Sequence, residues 1–406
     1  MAKDTQDHAA SVRQGDYVIA DRGGVIENRH LVHVAVIDNN GNSNTSSNGA
    51  ILPRTARLIR EVGDPHRLTL IRSAFKPVQT LAILETGAAS LYGFTTADIA
   101  LMCASHSSEP AAHVARARSM LAKAGCTADQ LQCGPHEAVD PEITKQWLRT
   151  GYAPTGIDNN CSGKHAGMLA AAKAMGVGTE GYHEMGHPLQ ERVRRAFEEV
   201  CGLRGEEVPW TVDGCNLPAP GVPLDVLAEM FAKFADAAEA FEALGGARVG
   251  PEEPAGKLTT ADDAGQRRRL MAQIFHAMAR HGHLIGGSGR FCTQLMDAFG
   301  GALIGKVGAD GCYGIGIRPC EDTRRLGAAG SLGIAVKIED GNLDILYSAV
   351  AEVLEQLDIG TEEQRARFGG YHRPERRNTM GAVVGGTTAV FGLRQPARSS
   401  GVGVKP

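Results

Sequence analysis

Strand-like segments lie at both ends of this chain and helix-like segments lie between them, an order few architectures accommodate. Residues 17–43 read YVIADRGGVIENRHLVHVAVIDNNGNS, β-branched runs broken by turn residues, with NNGN as a hairpin signal. Toward the other end, GALIGKVGADGCYGIGIR and LGIAVKIEDGNLDILYSAV read as successive strands with EDGN as a hairpin turn. SAVAEVLEQLDIG follows as a late helix and TMGAVVGGTTAVFG as a last strand. Between the ends, GMLAAAKAMG, HPLQERVRRAFEEVCG, PLDVLAEMFAKFADAAEAFEALGG and RRRLMAQIFHAMARHG carry helical spacing. The expected architecture is therefore α+β: an antiparallel sheet assembled from both chain ends, flanked by helices, with an inserted helical lobe and a cleft between the two. One catalytic domain spans 18–390, with a sheet lobe at about 18–100 and 290–390 and a helical lobe at about 105–285. Residues 1–17 and 394–406 read as loose tails, and Ala247–Lys257 (ARVGPEEPAGK) as a surface loop.

Composition removes several classes of function. The net charge is −4 and no basic stripe carries interleaved aromatics, so nucleic acid is not an expected partner. No apolar run reaches membrane-spanning length. The first residues, MAKDTQDHAASVRQGD, are polar and lack the apolar core of a signal peptide. An odd count of nine scattered cysteines fits reduced thiols in the cytoplasm, not a disulfide framework.

The stretch IRSAFKP places a serine and a lysine three residues apart. LTLIR before it reads as a strand. SAFKPVQTLAILETG after it reads as a helix, with Pro77 near its start and Gly87 at its stop. Ser73 and Lys76 then share one helix face, so the hydroxyl and the amine can meet. A neutral lysine there can take the serine proton and create a nucleophile. A capping serine followed by a surface lysine has the same spacing, so the pair alone is a weak motif.

Other constellations divide. HEMGH (His183–His187) has the zinc-protease spacing, but Gly186 lies inside it and Pro188 reads as the first residue of the next helix. That leaves the motif in a loop. CSGKHAG contains a Gly-Lys pair, yet Asp158 stands where a phosphate loop needs its first glycine, and His165 where it needs Ser or Thr. The same segment presents Cys161, Lys164 and His165 just before a helix, and VDGCNLPAP presents Asp213 and Cys215 in a proline-bounded loop. Two lone cysteines in separate loops are a weak metal signal by themselves. In SHSSEP, Ser108 and Glu109 read as caps of the next helix, and Ser105 precedes them. Lys306 sits in a glycine-rich strand, a pattern that fits close approach of a substrate to the backbone and equally an exposed strand lysine.

RSAFKPVQ, SHSSEP, CGPHEA, NNCSGKHAGML, DGCNLPAPGVPL and GGSGRFCTQLM occur in this order. Together they resemble the rhizobial-type (class 3) L-asparaginases from about residue 18 to residue 390. The resemblance implies a fold similar to serine β-lactamases and serine glutaminases, a homodimer, and hydrolysis of L-asparagine to L-aspartate and ammonia. It implies two Ser-Lys pairs, Ser73 with Lys76 and Ser105 with Lys306. It further implies zinc (Zn2+) held by Cys161, Lys164 and Cys215, and substrate contacts from Arg72, His165 and Asp213. A serine-dependent glutaminase or a β-lactamase-like hydrolase shares the Ser-Lys pair and is the alternative. The chemistry is coherent: at pH 7 only about one lysine in a few thousand is neutral. Bringing Lys306 near Lys76 lowers that barrier by like-charge repulsion, with burial helping.

Overall fold

The computed structural model describes residues 15–40, 54–245 and 263–396. The Ala247–Lys257 loop, the NNGN turn from residue 41 on, and most of both expected tails lie outside these residues. The strands are β1 (Tyr17–Arg22), β2 (Val25–Asn39), β3 (Arg57–Val62), β4 (Leu68–Leu70), β5 (Trp210–Val212), β6 (Pro218–Pro223), β7 (Leu303–Gly308), β8 (Cys312–Ile317), β9 (Ser331–Ile338), β10 (Glu375–Arg377) and β11 (Val383–Ala389). Seven of them run in the order β10-β11-β1-β2-β9-β8-β7, and β3 also pairs with β2 to complete an eight-stranded sheet. Every pairing in it is antiparallel. The two chain ends meet in this sheet, where β11 joins β1 and β9 joins β2.

The helices that build the site are α1 (Lys76–Glu85), α2 (Thr96–Met102), α3 (Ser162–Ala174), α4 (Pro188–Cys201), α5 (Leu224–Ala243), α6 (Asp263–Arg280) and α7 (Leu343–Gln356). Helix α5 lies directly on the sheet. Glycine makes this possible: a Cβ at Gly333 would stand 1.8 Å from the Ala228 carbonyl oxygen, and one at Gly316 would stand 2.2 Å from that of Phe231. Strand β9 is consequently buried on both faces along its whole length. Helix α1 is buried from Lys76 to Leu84, with no solvent face, and packs against α3, α4 and α6. A helix buried all round suits its apolar side chains and encloses the lysine at its head.

Two expectations change. EDGN is not a strand hairpin: Asn342 caps α7 by accepting the Ile345 N–H, so LDILYSAV is helical. The proline-bounded loop around residue 213 is the tip of a β5–β6 hairpin, and β6 is the middle of a three-stranded sheet with β4. Three prolines in PAPGVP argue against a central strand. Here Pro220 supplies its carbonyl to Ile71 N–H, and Gly221 supplies an amide to Pro209, so the missing donors are not needed at those positions.

Candidate active site

Strand β4 delivers Ile71 to the site, and the Ile71 N–H bonds Pro220 at 3.2 Å. A 3-10 turn then runs from Arg72 to Phe75 and passes into α1, with Pro77 in the first turn. Arg72 enters this turn at φ 48, left-handed backbone that is costly for a side chain other than glycine. Strand β7 presses on the same turn, since a Cβ on Gly308 would come within 2.5 Å of the Ile71 carbonyl. Thus Ser73, at the helix head, and Lys306, on the edge strand, share one wall.

The lysines converge in a way that spacing alone does not anticipate. Ser73 makes no side-chain hydrogen bond among the described residues. The Lys76 amine reaches across to the Ala104 carbonyl and to Ser105 Oγ, the latter at 3.0 Å. Lys306 Nζ donates to the same Ser105 Oγ at 2.7 Å and to the Val307 carbonyl at 2.7 Å. Both lysines are fully buried. Ser105 itself follows α2 and is held by a bond from its N–H to the Ile285 carbonyl at 2.9 Å. Burial, and secondly the charge on Lys76, push the Lys306 pKa down to about 7.

A second cluster lies at the head of α3. Cys161 is the N-cap of that helix, and Lys164 and His165 are inside its first turns, not before them. The β5–β6 tip supplies the other half. Asp213 Oδ1 accepts the Cys215 N–H at 2.9 Å and the Leu217 N–H at 3.0 Å, closing a tight turn in which Asn216 has φ 69. Lys164 Nζ donates to Cys215 Sγ at 2.9 Å and lies 3.4 Å from Asp213 Oδ2. Burial works against the charge on Lys164, but Asp213 and both cysteines raise its pKa well above the ordinary lysine value. The Cys215 hydrogen bond drives Cys161 well below an ordinary thiol. Despite its burial, Asp213 is held well below the usual carboxylate range, first by Lys164 and then by the backbone N–H groups.

His165 is wholly buried, and its Nδ1 stands 2.6 Å from the Tyr182 hydroxyl. That hydroxyl accepts the Gln132 N–H at 2.9 Å, leaving its own hydrogen for His165 Nδ1. His165 Nε2 then carries the ring hydrogen, and it has no partner. Tyr182 was not legible as a site residue, because it lies seventeen positions along the chain from His165 in a loop with no periodic pattern. Arg72 completes the wall. Its Nη1 donates to Asp310 Oδ2 at 2.7 Å, while its Nε is buried without a partner.

The family described as L-asparaginase II matches residues 18–389. The chain belongs to that family. It is an L-asparaginase, an amidohydrolase acting on a small molecule. Comparison with curated proteins finds no match. No helix of the described residues is long and apolar enough to cross a membrane.

Other metal-like patterns in this asparaginase are accounted for locally. His187 is the N-cap of α4, where its Nδ1 accepts the Leu189 N–H, and Pro188 opens the helix, so HEMGH is not on one helix face. Glu109, His113 and His283 lie close enough to share an ion. However, His113 Nδ1 accepts the Glu109 N–H at 3.1 Å and its Nε2 donates to the His283 carbonyl at 3.2 Å. Glu109 in turn accepts from Ser107 at 3.0 Å and from the Ser288 N–H at 2.7 Å, and faces His283 Nε2 at 2.9 Å. The group is satisfied without a ligand and braces the Ser105 loop. Of the two expected caps, Glu109 does stand at the N-cap of the helical turn Pro110–Val114, though its side chain makes these bonds and not a capping one, and Ser108 Oγ donates to the Asp158 carbonyl instead.

Proposed function

We propose that the enzyme hydrolyses L-asparagine to L-aspartate and ammonia through a serine ester formed on Ser73. The observation that carries this reading is the Ser105 hydroxyl bracketed by two buried lysines, one of them shifted to neutrality near pH 7. Ser105 passes a proton from Lys76 to Lys306, leaving Lys76 neutral. Lys76 then takes the Ser73 proton as the oxygen attacks the side-chain amide carbon. The C–N bond breaks, the proton returns to the departing nitrogen, and ammonia leaves. Water, deprotonated by the same lysines, releases aspartate. Arg72 receives the substrate α-carboxylate, Asp213 its α-ammonium group, and His165 Nε2–H donates to a substrate oxygen. Backbone N–H groups at the start of the helix stabilise the tetrahedral oxyanion.

The residues at the head of α3 suit zinc by their donor set: two buried sulfurs, one of them driven well below an ordinary thiol, and an amine pointed at the other. Cys161, Lys164 and Cys215 would hold it. When bound, it would supply a fixed positive charge beside the substrate's polar end. Lys164 must lose its proton to ligate, and Asp213 and the sulfurs hold that proton firmly, so loading releases protons. The sheet built from both chain ends, with a Ser-x-x-Lys helix head beside an edge-strand lysine, supports a serine β-lactamase-like fold. A cytoplasmic homodimer remains part of this reading, from the cysteine usage and the family resemblance.

One observation favours a second nucleophile. Lys76 bonds Ser105 and not Ser73, so Ser105 is the better activated hydroxyl in this state. The deciding experiment is an acid quench of the enzyme turning over asparagine, followed by peptide mass analysis. An aspartyl ester on the peptide carrying Ser73 supports the proposal. An ester on Ser105 reverses the roles of the two serines.

A further inference from the structure

We infer that Asp310 is a positioning residue that orients Arg72 for the substrate carboxylate. This rests on the carboxylate-binding role given to Arg72 above. Asp310 sits at the turn between β7 and β8, far from Arg72 in sequence, and is 75% exposed at its side chain. It takes only one of the three nitrogens of the guanidinium, Nη1, at 2.7 Å. The opposite edge has no hydrogen-bond partner among the described residues. Nε is buried with no partner, and Nη2 makes no hydrogen bond among the described residues. A guanidinium presents Nε and Nη2 as a parallel fork that matches a carboxylate bidentately. Fixing Nη1 from outside therefore turns the remaining fork toward a ligand.

Gly214, between Asp213 and Cys215, stands against Nη2, since a Cβ there would be 3.4 Å away. The Arg72 side chain thus bridges the β7–β8 turn and the β5–β6 tip. The backbone at both ends of the pair is unusual. Arg72 has φ 48 and Asp310 has φ 57, each in the left-handed region. Such strain persists where the surrounding structure over-determines it. At Asp310 the backbone does this: Lys337 Nζ donates to the Asp310 carbonyl at 2.7 Å, and Gly341 packs against the turn. These contacts hold the turn without using the Asp310 carboxylate, so the carboxylate itself can be tested.

The left-handed backbone makes Asp310→Gly a clean deletion, because glycine adopts that φ freely. Asp310→Asn keeps both the backbone preference and an acceptor oxygen. The assay compares asparagine with 3-aminopropanamide, which is asparagine without its α-carboxylate. Asp310→Gly should raise KM for asparagine about tenfold with little change in kcat, the scale expected when a charge-assisted hydrogen bond to the substrate is misoriented. Turnover of 3-aminopropanamide should not change, so the preference for asparagine falls by the same factor. Asp310→Asn should recover most of it. In an Arg72→Ala background, Asp310→Gly should add nothing.

If Asp310→Gly leaves the preference intact while Arg72→Ala lowers it, the inference fails and the reading of Arg72 stands. If the two substitutions add independently, Asp310 does not act through Arg72 and the inference also fails. If Arg72→Ala itself leaves the preference intact, the carboxylate assignment falls, and the inference with it. Equal loss on both substrates would mark Asp310 as a structural residue only.

Discussion

Lys306 and Lys164 are both buried, at 0% and 1% exposure, yet they are driven in opposite directions. Burial disfavours the charge on each. Lys306 has another cation, Lys76, as its strongest charged neighbour, and repulsion adds to burial. Lys164 faces a carboxylate and two sulfurs, and their attraction overcomes burial. The neighbours, not the depth, decide whether a buried amine is a base or a fixed cation. One becomes fit to accept protons at neutral pH. The other keeps its proton until something displaces it, as a metal would.

The contrast is broken most directly by deleting each amine. Lys306→Met should lower kcat for asparagine by about three orders of magnitude, since loss of a general base has that scale. Its KM should change little. Lys164→Met should act mainly on KM, with a kcat loss below about tenfold. Steady-state kinetics on both purified variants make the comparison. Similar kcat losses in the two would mean that the amines serve one step.

Metal content gives the next largest effect. The parent protein should contain about one zinc per chain by elemental analysis, as a two-sulfur, one-nitrogen site allows. Cys161→Ser and Cys215→Ser should each reduce that content. Chelation of the parent should raise KM by about tenfold, more than it lowers kcat. Unchanged zinc in both variants would remove Cys161 and Cys215 as ligands.

Stability should separate the two lysines by sign. The folded pKa of Lys306 is depressed, so the unfolded chain binds more protons between about pH 7 and the ordinary value of 10.5. Its handicap is complete below pH 7 and gone above 10.5. Lys306→Met should therefore melt higher than the parent at pH 6, and the gap should close as pH rises through that window. The folded pKa of Lys164 is raised, so its contribution is complete below 10.5 and lost only as pH rises through the folded value. In chelated protein, Lys164→Met should melt lower than the parent at neutral pH. Thermal unfolding of the chelated proteins across pH measures both, and two shifts of the same sign would defeat the argument from neighbours.

The general plan of the fold was legible because it depends on patterns local to each segment. β-branched runs at both ends and helical spacing between them suffice to expect a sheet closed by the two ends. The failures are places where distant partners decide. PAPGVP pairs as a strand because its neighbours need carbonyls from it and few amides. EDGN belongs to a helix because Asn342 finds the Ile345 amide. In the site, the serine-lysine spacing marked Ser73 and Lys76 but not which hydroxyl the amine would reach. That choice is made by α2, which delivers Ser105 to Lys76 from elsewhere in the chain. Tyr182 and Asp310 are invisible for the same reason: each matters only through the His165 or Arg72 side chain it touches.

The smallest expected effect sharpens the contrast most. In the parent, kcat/KM should rise through about pH 7 as Lys306 becomes neutral. Removing the charge of Lys76 by Lys76→Met should raise the Lys306 pKa, because repulsion is removed. It should stay below the ordinary 10.5, because burial, the larger cause, remains. That variant should lack turnover, so Lys306 is followed there by the carbon resonance next to its amine. Lys164→Met is the counterpart and keeps enough activity for a pH profile. The groups that act most on Lys306 are Lys76, Cys292, Cys161 and Cys103, and Lys164 is not among them. Its limb should lie within about 0.3 units of the parent's, well inside the spread that a direct charged neighbour produces. A limb displaced by Lys164→Met as far as Lys306 is displaced by Lys76→Met would join the two clusters into one titrating network. Two buried lysines could then no longer be assigned separate tasks by their neighbours.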